Sequence, residues 1–145
     1  MKKIGYVLSS FPILSETFIS TEIRAMQRRG HQVQPFSFRH YGGEYQQRDE
    51  SLKEQTIYLS DHSRKIALKA LPLIKPGVFK ALSFALKQRG LPTKSLLGNA
   101  LKLVYLAHQA QCTHLHAHFA QATAATAIVA ARLYGITVSF VGHGY

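Results

Sequence analysis

A chain of 145 residues is long enough for one domain with a sizeable core, and 46% hydrophobic against 17% charged residues exclude both a disordered chain and a charged coiled coil. The formal charge is +11, and it is unevenly placed: every acid lies at or before Asp61, whereas residues 62–145 carry ten bases and no acid. A surplus of this kind points to a polyanion or an anionic membrane surface as partner.

A single cysteine, Cys112, excludes an internal disulfide framework and any multi-cysteine zinc site. Lys2 and Lys3 precede an apolar run, but Ser9, Ser10 and Pro12 break it, and Ser15-Glu16-Thr17 is not a small-x-small cleavage site. No stretch reaches the roughly 18 apolar residues of a membrane span. The expectation is a cytoplasmic protein with surface contact to the inner face of the plasma membrane.

In chain order, residues 3–9 form a short apolar run of the kind that parallel strands bury on both faces. A hydroxyl-rich loop, Ser9 to Ser15, leads into a predicted helix over 16–29, with Ser15 as N-cap, Phe18, Ile23 and Met26 inward, and Gly30 as the stop. Residues 31–38 alternate and predict a second strand, so this opening is a βαβ unit. Residues 40–55, polar and containing Gly42-Gly43, read as a loop or insertion, and 56–60 as a short strand. Residues 62–111 are helical in tendency, broken at Pro72, Pro76 and Gly90-Leu91-Pro92. Strand 113–117, helix 120–134 ending at Gly135, and strand 137–141 complete an α/β pattern with a mostly parallel sheet, whose ligands belong beyond the carboxyl ends of the strands. Four residues after the last strand the sequence ends without a covering helix, which reads as a truncated chain.

Three loops fall at predicted strand carboxyl ends. The first, Ser9–Thr17, offers Ser10, Ser15, Glu16 and Thr17 at a helix N-terminus, where free N–H groups favour a phosphate or carboxylate; a capped helix with no ligand fits equally well. It lacks Gly-x-Gly-x-x-Gly, which argues against a bound dinucleotide. The second follows His114-Leu115-His116-Ala117-His118. Alternation sets the three imidazoles on one face, a metal-ligand geometry, but with no acid after Asp61 nothing nearby completes a shell, so neutral hydrogen-bonding histidines are the expectation and no metal. The third, Gly142-His143-Gly144-Tyr145, sets a histidine between glycines that permit close approach to a ligand. In the basic half, Val78, Phe79, Leu82, Ala85 and Leu86 form an apolar stripe with Lys80, Lys87 and Gln88 opposite. Such a helix either packs its stripe on the sheet or lies on an anionic bilayer, with Lys69, Lys75, Lys80 and Lys87 facing the membrane. A nucleic-acid-binding module is the alternative that +11 suggests; no recognition helix or stacking aromatics among the bases support it.

Tyr6-Val7-Leu8-Ser9-Ser10-Phe11-Pro12-Ile13-Leu14-Ser15-Glu16-Thr17-Phe18-Ile19 with Glu22-Ile23, then His114 through Ala120 with the Ala-rich helix, then Val138 through Tyr145, resemble family 4 retaining glycosyltransferases, in the subgroup that includes colanic-acid and related exopolysaccharide enzymes. The likeness covers both ends of the chain and hardly touches residues 40–105. It implies a Rossmann-like three-layer αβα domain, the acceptor-binding amino-terminal half of a two-domain GT-B fold. The implied partners are a nucleotide-sugar donor and a glycan or lipid-linked acceptor; no metal or other cofactor is required. It further implies that Ser15, Glu16 and Thr17 lie in the loop facing the cleft, near the donor phosphates and acceptor, that His118 lies at the mouth of the fourth strand, and that His143 is the catalytic histidine touching the transferred sugar; Ser10, His116, Gly142 and Gly144 are further expected binding residues. The pair of glutamates that hold the donor in that family has no counterpart here, so the chain by itself is expected to be inactive.

Overall fold

The computed structural model describes residues 3–12, 17–76, 78–88, 90, 92–118 and 121–141. Five parallel strands form one sheet: β1 (Lys3–Phe11), β2 (Gln32–His40), β3 (Ile57–Tyr58), β4 (His114–His118) and β5 (Thr137–Val141), in the order β3-β2-β1-β4-β5. The helices are α1 (Thr17–Arg28), α2 (Glu50–Gln55), α3 (Lys65–Lys69), α4 (Val78–Leu86), α5 (Thr93–Gln109) and α6 (Gln121–Tyr134). The fold is α/β, a Rossmann-like three-layer sandwich. Successive strands step outward from β1 to β3, then the chain returns to the other side of β1 for β4 and β5. Right-handed crossovers demand that helices on the two legs cover opposite faces, and they do: Ile19, Ile23 and Leu52 of α1 and α2 pack on Ile4, Tyr6 and Leu8, while α4, α5 and α6 pack on Val7, Phe36, Leu115 and Ala117.

β1 is central and buried on both faces, which is why its sequence is a continuous apolar run. Gly5 is part of that packing: a Cβ there would lie 2.8 Å from Leu115 Cδ2 and 2.9 Å from Phe36 Cε2. Gly30 and Gly135 end α1 and α6 with φ of +92° and +81°. The sheet edge β3 is only two residues long, shorter than the 56–60 expected, because Leu59–Asp61 turns into a 3-10 segment.

Two further expectations change. Residues 40–55 are not all loop: a 3-10 turn at Gln47–Asp49 runs into α2. Their polar sequence hides two anchors. Leu52 enters the core under α1, and the fully buried Asp49 accepts a hydrogen bond from Ser20 Oγ (2.9 Å) and pairs with Arg24 Nη1 (2.9 Å). In α4 the expected stripe packs inward only at Val78 and Ala85. Ala81 and Ala85 are buried, whereas Phe79 is 80% and Leu86 72% exposed, with Leu82 beside them. The cause is the neighbour: α4 rests on α6, whose Ala127, Ala130 and Ala131 are buried, and two small surfaces approach more closely than a phenylalanine allows.

Candidate functional site

The strand order reverses between β1 and β4, which is the point where open α/β sheets bind ligands. The register pairs Tyr6 with His116 and Val7 with Ala117, so His118 lies beside the carboxyl-terminal part of β1. Alternation gives Leu115 and Ala117 to the core and turns His114, His116 and His118 to the face covered by α1, as the sequence pattern requires.

Under α1 these side chains meet Tyr6 and Glu22. Glu22 Oε2 is 2.8 Å from Nε2 of His118, which is 3% exposed. The Tyr6 ring stacks on His118 at 5.7 Å and lies tilted against His116 at 5.1 Å; the two imidazoles meet edge to face at 4.9 Å. Burial, then the Glu22 carboxylate, push the Tyr6 hydroxyl up to about 12, so it stays a neutral phenol. Burial and the neighbouring His118 move His116 below the ordinary histidine range against the pull of Glu22, so its imidazole is neutral. A polar line continues onto β5: Ser139 Oγ is 2.6 Å from His116 Nδ1 and 2.8 Å from His114 Nε2, and His114 Nδ1 is 2.6 Å from Thr137 Oγ1.

The expectation that no acid approaches the histidines is therefore corrected. The acid comes from far upstream, Glu22 on α1, because the sheet sets β4 next to β1 and α1 crosses above them. Glu22, Tyr6 and Ser139 are members of the site that sequence reasoning did not assign. The available signal was the i, i+3 pairing of Ile19 and Glu22 on α1, next to Ile23, which points the acid toward the sheet.

Among the expected binding residues, Ser10 lies near the end of β1, where Arg39 Nε donates to its Oγ at 3.4 Å, and Thr17 opens α1. Ser15, Glu16, Gly142, His143 and Gly144 lie outside the described residues. Lys80 and Lys87 line one shallow groove with Phe79, Ser83, Phe84 and Arg132; Lys69 Nζ sits 5.7 Å from the Tyr105 ring centre, and Lys75 lies against Gly135.

A separate cavity of about 400 Å³ opens between α3 and the first turns of α5, lined by Arg64, Lys94, Ser95, Asn99 and Lys102. Lys102 Nζ donates to the Leu59 carbonyl at 3.3 Å, and burial plus Arg64 lower its pKa. A smaller groove shares Pro92, Ser95 and Asn99 with it and reaches Phe38 near the end of β2 and Thr126 on α6. Comparison of the chain with family models, with curated proteins and with solved structures finds no match.

Proposed function

We propose that this chain is the acceptor-binding half of a retaining glycosyltransferase that moves a sugar from a nucleotide-sugar to a bacterial polysaccharide or lipid-linked acceptor, with the donor site supplied by a second domain. One observation carries the reading. Two segments that resemble the family, Tyr6–Phe11 and His114–His118, run side by side as β1 and β4 where the strand order reverses, and the third includes most of β5 beside them. The hydroxyls of Ser10 and Thr17 suit hydrogen bonds to a sugar, and the cavity with Arg64, Lys94 and Lys102 suits an acceptor bearing phosphate. The exposed Phe79, Leu82 and Leu86 beside Lys80 and Lys87 support a peripheral place on an anionic membrane.

The test is amide-resonance mapping with a panel of bacterial oligosaccharides and lipid-linked glycans, alongside an assay for nucleotide release. Acceptor glycans should shift Ser10, Thr17, His116 and His118, and the chain alone should release no nucleotide from any nucleotide-sugar. Turnover by the purified chain would remove the half-enzyme part of the reading. Glycans that leave all four residues unmoved would remove the acceptor part.

A further inference from the structure

We infer that Glu22, His116 and His118 form a binding site for a first-row transition-metal dication of the zinc type. The three side chains each offer one ligand atom, and these atoms all lie within 4.8 Å of one another. Two imidazoles and one carboxylate form the donor set that suits zinc, cobalt or nickel, and one that magnesium and calcium, which prefer oxygen throughout, do not favour.

The details of the site agree with this donor set. Nδ1 of His116 is engaged by Ser139, which leaves Nε2; that atom is buried and has no hydrogen-bond partner among the described residues. An orphaned ring nitrogen near a carboxylate and a second imidazole is costly unless something binds there. Ser139 has the place of an outer partner that fixes a metal-bound imidazole through its other nitrogen. Two donors bound at about 2.1 Å to one tetrahedral zinc ion stand about 3.4 Å apart. The widest pair must therefore draw together while the 2.8 Å Glu22–His118 contact opens, and Glu22 is free to move, since 40% of its side chain is exposed while His118 is fixed in the core. The same exposure gives the ion a way in. Tyr6, packed against both imidazoles, shields them on its side from water. An ion held there would tie α1 to β4, two elements far apart in the sequence. Metal binding here is independent of the transferase reading and is measured with metal alone.

The experiment titrates the chelator-treated full chain with Co²⁺, followed by visible absorption and by the imidazole proton resonances, with Zn²⁺ as competitor. One equivalent should bind, shift His116 and His118 more than any other histidine, and be displaced by Zn²⁺. Zn²⁺ should also raise the melting temperature. Glu22→Gln, isosteric and able to keep a hydrogen bond to His118, should weaken binding at least tenfold. Ser139→Ala, acting only through the orientation of His116, should weaken it about tenfold. His108→Ala, on the exposed side of α5, should change nothing. Absence of a one-equivalent complex, or equal affinity in wild type and Glu22→Gln, would overturn the assignment.

Discussion

A carboxylate stripped of water persists only where its charge is met from inside, and Asp49 shows how little sequence is needed for that. Ser20 and Arg24, one helical turn apart on α1, both reach it, and Arg24 also donates to the Arg48 carbonyl. Replacing Asp49 by Ala removes the Ser20 hydrogen bond and the ion pair, and leaves the Arg24 guanidinium with only the Arg48 carbonyl. Arg24 is one-quarter exposed and can recover some water, so the cost should be about 2–4 kcal/mol. Urea unfolding should show a midpoint lower by about 1–2 M; a shift below about 0.3 M would mean that the pair is dispensable. This anchor was not legible in the sequence, because a polar stretch with one aspartate looks the same whether that aspartate is solvated or buried. The same limit hid Glu22. The histidine alternation on β4 could be read directly, but the acid that meets it comes from an element joined only through the topology.

At the scale of elements, α4 presents Phe79, Leu82 and Leu86 outward and its alanines inward. Vesicle flotation should show binding that needs anionic lipid and falls with salt. Lys80→Glu combined with Lys87→Glu should weaken it at least tenfold, and so should Phe79→Ser combined with Leu82→Ser. Equal binding to neutral vesicles would remove the electrostatic part. The helix itself, the parallel strands and the glycine stops at Gly30 and Gly135 were all legible, since period and punctuation are local signals. Which face of α4 turns inward was not: hydrophobicity alone favours the phenylalanine side, and the decision rests on how closely the alanine-rich α6 lets its neighbour approach.

The molecule as a whole carries an alkaline limit in its buried acids. Burial pushes the Cys112 thiol up to about 11, with Lys3 pulling the other way, and burial also raises Tyr58 and Tyr134. Tyr134 faces both Cys112 and His108. In each case the folded state favours the neutral form, so stability is intact below the ordinary values of the unfolded chain and declines as pH rises past them. For Cys112 the loss should begin near pH 9 at about 1.4 kcal/mol per pH unit. Urea midpoints taken at about pH 8, 9 and 10 should fall, and more shallowly in Cys112→Ala; parallel profiles for the two chains would refute the assignment.

Ser139 has a single hydrogen to give, yet two imidazole nitrogens stand within reach of its oxygen. Where Ser139 spends that hydrogen on one of the two, that nitrogen must be bare, and the other can donate to the serine oxygen in return. If Ser139 gives its hydrogen to His114, then His116 donates from Nδ1 and keeps a bare lone pair on the buried Nε2; if it gives to His116, that Nε2 is protonated instead. In both of these arrangements the two tautomers are coupled. A choice made at the edge strand, where His114 meets Thr137, therefore sets whether a nitrogen beneath α1 acts as a Lewis base or as a donor.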